Sequence, residues 1–260
     1  MKTRTAPVLI TPMMIGHMNK TMTFREITEP GELEKAFRFR YEVYSKSRLN
    51  RFLKQNQCNL DIDIHDLHSR HFGLFIGNIE MIGYLRVVLS KETFFNDKVS
   101  EVINKFNFIS LIEPASEDTK RERVADYPFL SHPNLPLSLI TRYNLLKNQN
   151  IEIAEASRLI IKDDHRGIKT SAFLIECAMM LFIMICSSQR HAVISCCKDH
   201  RLFYERYGFR PFDDDTEFNL YDMKLDTVCL TLSEYPKNLP GRIEEMKSQY
   251  LIAGKITRAI

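Results

Sequence analysis

The segment EASRLIIKDDHRG, residues 155–167, decides the fold because it joins a strand pattern to a polar turn. Residues 159–161 are apolar and typical of a buried strand. Glu155, Ser157 and Arg158 lie at the entry of that strand. A buried strand does not need an acid and an arginine there, so these side chains are candidates for a functional site.

The turn after this strand has the pattern of an anion-binding site. Gly167 precedes a long apolar segment, residues 168–187, that is typical of a buried helix. The N-terminus of such a helix presents free backbone N–H groups, which can bind an anion. Three basic residues surround that point: Lys162, Arg166 and Lys169. The alternative is that Gly167 only begins a core helix and that the basic side chains are solvated, since a single glycine turn is a weak signal.

Outside this segment the sequence predicts a mixed α/β chain. Gly77 and Asn78 join two β-rich runs, 71–77 and 80–88, as a hairpin. The other predicted elements are strands at 23–27, 151–161, 191–197 and 227–232, and helices at 31–46, 97–106, 137–148, 168–187, 199–207 and 241–256. The stretch 107–136 is longer than an ordinary connection, so we expect a lid or an insertion there.

Composition is that of a globular chain. Hydrophobic residues make up 44% and charged residues 27% of the sequence, which argues against global disorder. The net charge of +3 is too small to indicate nucleic-acid binding. The six cysteines include no CxxC pair, so we expect reduced thiols in a cytoplasmic protein.

No transmembrane segment is expected. Pro12 interrupts the apolar N-terminal stretch, and no small-residue cleavage site follows it. Residues 171–186 fall short of the ~20 apolar residues that a span needs, and Glu176 lies among them. We therefore expect a helix buried in the core.

Two local patterns suggest a metal site, but a charged solvated loop explains both. Asp61, Asp63 and Asp66 are closely spaced, yet the glycine and closing glutamate of a calcium loop do not follow. Three histidines recur every third residue across a predicted loop-to-strand boundary: His65, His68 and His71. We expect no bound metal.

Residues 203–209, FYERYGF, resemble the C-terminal element of the GNAT acyltransferase superfamily, an aromatic-rich helix that ends in Gly-Phe. In that superfamily a strand, an anion-binding turn and a long helix precede this element in the same order. The resemblance implies that the turn holds the phosphate of the acyl donor and that Tyr204 protonates the departing thiolate. The alternative for Tyr204 is an aromatic side chain packed under the helix.

The turn departs from the superfamily pattern Gln/Arg-x-x-Gly-x-Gly/Ala. Asp164 stands where Gln or Arg is expected, and Lys169 stands where Gly or Ala is expected. A carboxylate repels a diphosphate, and a long side chain obstructs close backbone approach. These differences favour the phosphopantetheine arm of an acyl carrier protein over coenzyme A. Such carriers are acidic, and a basic set would complement one: Lys162, Arg166, Lys169, Lys198, Arg201, Arg206 and Arg210.

Four motifs in order resemble the autoinducer synthases and the related N-acyl amino acid synthases. These GNAT-fold enzymes move an acyl chain from acyl carrier protein onto an amino-acid-derived amine. The motifs are Arg-x-x-Val-Tyr from Arg40, acid-x-Asp-x-x-Asp at 61–66, Gly-x-x-Arg ending at Arg86, and Glu-x-Ser-Arg at 155–158.

Carried over by position, this resemblance implies a substrate-binding set and a base. The substrate-binding residues are Arg40, Asp63, Asp66, Arg86, Ser157 and Arg158. Glu155 is the implied base, which removes a proton from the acceptor amine. The alternative is a structural ion-pair network, because buried charges need partners whether or not chemistry occurs.

Departures from the lactone synthases favour the N-acyl amino acid synthases. Homoserine lactone synthases usually carry a tryptophan after the first helix, but this chain has no tryptophan and Phe52 lies nearest that place. The insertion at 107–136 and a C-terminal extension also lengthen the chain.

We therefore predict a single α/β domain with a GNAT-like mixed central sheet flanked by helices. An N-terminal arm at 1–22 would precede the domain at 23–235, and a helical extension at 236–260 would follow it. The expected protein is a bacterial, cytoplasmic N-acyltransferase that moves a long-chain fatty acyl group from acyl carrier protein to the amine of an amino acid. Its donor would be an acyl-phosphopantetheine, with no bound cofactor. The alternatives are acyl-homoserine lactone synthesis from S-adenosylmethionine and a non-catalytic module that senses acyl carrier protein or acyl-CoA.

Overall fold

Nine strands form one mixed sheet in the computed structural model, which describes residues 21–47, 50, 53, 55–108, 125–132, 135–185, 190–213, 217–219, 226–233 and 241–260. The strands are β1 (Thr21–Glu26), β2 (Ser69–Ile76), β3 (Glu80–Val88), β4 (Glu152–Ile161), β5 (Arg190–Cys197), β6 (Arg210–Pro211), β7 (Glu217–Asn219), β8 (Asp226–Leu232) and β9 (Lys255–Ala259). Their order is β6-β8-β5-β4-β3-β2-β1-β9, and β7 also pairs with β8. Of the pairs in this sheet, β4–β5 is parallel and the others are antiparallel.

Six helices cover the two faces of this sheet within the described residues. They are α1 (Pro30–Ser45), α2 (Asp97–Lys105), α3 (Leu137–Asn148), α4 (Ile168–Ile185), α5 (Arg201–Glu205) and α6 (Gly241–Ala253). Buried residues of α1, α2 and α3 pack on one face, and those of α4 and α6 pack on the other. The sheet with helices on both faces confirms the predicted fold class.

The predicted hairpin between β2 and β3 is confirmed. Gly77 has φ 58° and Asn78 has φ 63°. They are the two central residues of a turn that the Ile79 N–H closes onto the Ile76 carbonyl at 3.2 Å, and two successive positive φ angles explain why Gly and Asn occupy these positions.

The parallel strands β4 and β5 part midway along β4. Their register runs from Glu152 and Arg190 to Ala156 and Ile194 and ends there, although β4 continues along β3 to Ile161. The β3–β4 register is irregular at this point, and Arg158 has φ 55°. A bulge of this kind bends a strand and redirects its side chains, so it opens the sheet beside residue 157.

The helix α4 is long and apolar enough, by length and composition alone, to cross a membrane. In the structure it packs lengthwise on the sheet, with residues such as Phe173 and Phe182 fully buried in the core. Its buried Glu176 forms ion pairs with Arg242 and with Arg258, the second at 2.9 Å. The acid inside this apolar helix therefore holds the C-terminal segment onto the fold.

Three predicted boundaries need correction. The predicted terminal helix at 241–256 ends at Ala253, because Gly254 takes φ 66° and the chain then forms β9, which pairs with β1. The segment at 236–260 is therefore not only a helical extension. The predicted helix at 199–207 is a short 3₁₀ turn followed by α5. Residues 1–20 of the predicted arm lie outside the described residues, and residues 21 and 22 belong to β1.

Candidate active site

Helix α1 carries Arg40 into the protein interior. Pro30 begins the helix, and its inner face holds Leu33, Phe37 and Tyr44 together with Arg40, whose side chain is fully buried. Since a buried guanidinium must be paired, the rest of the site is built around it.

Asp61 and Asp66 are the carboxylates that pair Arg40. Arg40 Nε donates to Asp61 Oδ2 at 2.9 Å. The two Nη atoms donate to the two Asp66 oxygens at 2.7 and 3.2 Å, a bidentate pair. Tyr84 adds a contact to Arg40 at 3.3 Å, and its hydroxyl lies 2.6 Å from His71 Nδ1.

A capping box fixes the turn that supplies these acids. The 3₁₀ turn Ile64–His68 begins after Asp63, whose Oδ1 accepts from the His65 backbone N–H at 3.0 Å. The Asp66 carboxylate reaches back to the Asp63 N–H at 2.8 Å. These reciprocal bonds explain the Asp-x-x-Asp spacing of the sequence motif.

Two further arginines complete the network from β3 and β4. Arg86 donates to Asp63 at 2.6 Å, to Asp66 at 2.9 Å and to Ser157 Oγ at 2.9 Å. Arg158 donates to Asp63 Oδ2 at 3.1 Å. Three arginines therefore meet three aspartates, and the six side chains carry no net formal charge.

Burial and ion pairing shift the pKa values of these groups in opposite directions. Burial alone would raise the pKa of Asp66, but Arg40 and Arg86 lower it below its usual value. Burial would lower the pKa of Arg40, but Asp61 and Asp66 raise it well above its usual value. Asp66 and Arg40 therefore stay ionised, and removal of either one leaves a buried charge without its partner.

Glu155 stands beside this network with a different environment. Its side chain is buried, and Oε2 accepts from the Phe129 backbone N–H at 3.0 Å. Burial raises the pKa of this carboxyl to about 8, against a smaller lowering by the Phe129 N–H and by Arg86. A carboxyl that titrates near neutral pH is suited to proton transfer.

Tyr204 lies on the opposite face of the sheet from Glu155. Its ring packs against Phe203 and Phe209 in the core beneath α4, and burial raises the pKa of its hydroxyl. The two predicted catalytic residues therefore lie on opposite faces of the sheet.

The predicted phosphate-binding turn is exposed, and its basic side chains have acidic neighbours. Lys162 Nζ lies 3.0 Å from Glu80, and Arg166 Nη1 lies 2.9 Å from Asp163. At Gly167 an added Cβ would meet nothing within 4 Å, so no close contact requires glycine there. Lys169 is exposed on the first turn of α4.

Two of the three spaced histidines contact separate partners. His71 contacts Tyr84, and His68 Nδ1 lies 3.0 Å from the Phe94 carbonyl. Within the described ranges no group of three or more His, Cys, Asp or Glu side chains has the geometry to hold a metal.

Sequence reasoning missed several members of the site. Asp61 stood in the acid motif but was left out of the implied substrate-binding set, and Tyr84, two residues before Arg86 on the same face of β3, was not singled out. Phe129 had no signal, because it acts through its backbone N–H. Phe52 lies outside the described residues.

The fold resembles that of acyl-transferring synthases with solved structures. FeeM, an N-acyl amino acid synthase from uncultured soil microbes, is 12% identical with a TM-score of 0.50, and the match covers 84% of this chain and 93% of that one. BjaI, a CoA-dependent acyl-homoserine lactone synthase, matches in a complex with SAM and isopentyl-CoA at 12% identity and a TM-score of 0.51, over 87% of this chain and 90% of that one. A second BjaI structure, with MTA, is 14% identical with the same score and coverage.

These structural matches confirm the GNAT-like fold predicted from the motifs. No protein-family model matches the chain, and no curated protein matches its sequence.

Proposed function

We propose that this protein is an N-acyltransferase that moves a long-chain fatty acyl group from acyl carrier protein to the amine of an amino acid. One observation carries the proposal. A buried glutamate with a pKa near 8 adjoins a neutral network of three arginines and three aspartates, at the point where β4 leaves β5. The fold shared with FeeM and BjaI supports acyl transfer, and the site is where the chemistry would occur.

Exposure divides the network into contacting and positioning residues. The side chains of Arg158 and Asp63 are 28% and 15% exposed, so they would touch the acceptor. Arg40 and Asp66 are fully buried and would hold that pair in place. Arg86 would link the network to Ser157 beside Glu155.

In the proposed reaction the acceptor amine forms a C–N bond with the thioester carbonyl carbon, and the C–S bond breaks. Glu155 takes the amine proton, directly or through water. Backbone N–H groups of residues 157–161, past the end of the β5 pairing, would stabilise the oxyanion. Tyr204, whose raised pKa keeps it protonated, would donate to the thiolate, and the phosphate of the donor arm would bind near Lys162, Arg166, Gly167 and Lys169.

The test measures free thiol release from palmitoyl-acyl carrier protein with mixed protein amino acids, with the product identified by mass spectrometry. Palmitoyl-CoA in place of the carrier protein tests the choice of donor. A parent protein that releases no thiol with either donor would refute the proposal.

Glu155→Gln tests the assignment of the base. It keeps the shape of the side chain, so we expect thiol release to fall by about a hundredfold or more while the carrier protein still binds. Glu152→Gln is the matched control on the same strand, because that side chain pairs with Arg190 at the surface. Full activity of the Glu155 variant would remove Glu155 as the base.

Acyl-homoserine lactone synthesis is the second candidate, since BjaI shares the fold. It requires S-adenosylmethionine as the acceptor and releases methylthioadenosine, so the same mass spectra separate the two candidates. A sensing module would bind the carrier protein without releasing thiol.

A further inference from the structure

His65 has a buried imidazole nitrogen that the fold leaves without a partner. The residue is 5% exposed, and its Nε2 has no hydrogen-bond partner in the structure of the described residues. Buried polar atoms are almost always bonded, so such an atom needs an explanation. Contact with a substrate group is an explanation that can be tested.

The backbone at His65 is held firmly. Its N–H donates to Asp63, and its carbonyl accepts from Ser69 Oγ at 2.6 Å. The backbone therefore cannot shift to bring the ring to another partner without breaking the capping box between Asp63 and Asp66. His68 and His71, on the same stretch, already have partners.

The ring lies among the charges that also surround Glu155. Asp63, Arg86 and Arg158 act electrostatically on both side chains. Burial lowers the pKa of His65 to about 4, so the ring is neutral at pH 7. Asp63 is the strongest charged influence on it, and a carboxylate next to a neutral acceptor atom favours a cationic donor.

We propose that Nε2 of His65 accepts a hydrogen bond from the acceptor's ammonium group and holds that group beside the Asp63 carboxylate. The ring would be the Nδ1–H tautomer, which leaves the Nε2 lone pair free. This inference rests on the proposed function, and it adds to the site a binding residue that the motifs do not include. His65 orients the amine, and Glu155 removes its proton.

Steady-state kinetics with palmitoyl-acyl carrier protein and mixed protein amino acids test the inference in the full chain. We expect His65→Phe to raise the apparent KM for the amino acids about tenfold or more, because a hydrogen bond to a charged group is lost. The KM for the donor should stay within about twofold. His65→Gln, whose side-chain oxygen can replace Nε2, should recover most of the loss. His68→Phe is the matched control, because it removes the hydrogen bond of another histidine ring three residues away.

A binding measurement separates this inference from the proposed function and from misfolding. Addition of the mixed amino acids to the ¹⁵N-labelled parent, without donor, should shift the Nε2 resonance of His65 and leave that of His68 in place. That result supports the contact even if no thiol is released. An unchanged His65 resonance, or an unchanged amino acid KM in folded His65→Phe beside an active parent, would overturn the inference.

Discussion

The middle of β4 and its exit carry charge in opposite ways. Beside Ser157 and Arg158, midway along the strand, three arginines and three aspartates are largely buried and pair with one another. At its exit, Lys162 and Arg166 pair with acids in solvent, with side chains 34% and 53% exposed. A buried pair is costly to break and fixes geometry, whereas an exposed pair exchanges its partner at little cost. Under the proposed function, the buried network would hold a fixed small acceptor, and the exit would contact a partner that arrives and leaves.

The largest expected effect comes from breaking the buried ion-pair network. Asp66→Asn should lower the free energy of unfolding by about 3–5 kcal/mol, because Arg40 and Arg86 lose a shared buried carboxylate. Urea unfolding followed by circular dichroism measures the loss. Glu42→Gln removes an exposed partner of Lys46 and should cost less than about 0.5 kcal/mol. Equal losses in the two variants would refute the contrast between buried and exposed pairs.

The fold was predictable because its signals are local and periodic. Two β-rich runs predicted β2 and β3, alternating apolar residues predicted β8, and Gly77 with Asn78 placed the hairpin turn. The terminal strand β9 was missed because KITRA continues a helical pattern, and only Gly254 and the pairing with β1 stop it. A window of five residues does not show which distant strand that segment will pair with.

The site was partly predictable for a related reason. The resemblance to the synthases implied Arg40, Asp63, Asp66, Arg86 and Arg158, and the structure brings them into one network. The link from Phe129 to Glu155 could not be predicted, because any residue at 129 except proline supplies the same N–H group. The raised pKa of Glu155 comes from burial of its carboxyl in the assembled fold, against the lowering by the Phe129 N–H, and could not be predicted from the sequence either.

The next effect is a pH dependence of stability, which comes from Glu155 beside the buried network. Glu155 has a pKa of about 8 in the fold against 4.5 for a solvated glutamate. The stabilising effect of its neutral form is fully present below pH 4.5 and is lost as the pH rises to about 8, because only the unfolded state ionises in between. Relative to Glu155→Gln, the parent should lose up to about 1.4 kcal/mol per pH unit in this window.

Thermal unfolding of both proteins at several pH values measures that difference. Burial lowers the pKa values of His65 and His71 to about 4, so these histidines also make stability depend on pH. Their contribution cancels in this comparison because both proteins contain them. If Glu155 is the base, the kcat/KM of the parent for the amino acids should also rise through pH 8. Parallel stability curves for the two proteins would mean that Glu155 is ionised throughout.

The smallest effect on stability is expected at the exposed exit of β4. There we expect a change in function without a comparable change in stability. Lys162→Ala combined with Arg166→Ala should change the free energy of unfolding by less than about 0.5 kcal/mol. It should raise the KM for palmitoyl-acyl carrier protein, and added salt should raise the parent's KM in the same way, because charged encounter surfaces are screened. Lys46→Ala, a change at an exposed lysine on the far end of α1, is the control. A donor KM that neither the double variant nor salt alters would mean that these two residues only neutralise Glu80 and Asp163, and the donor phosphate would then have to bind elsewhere.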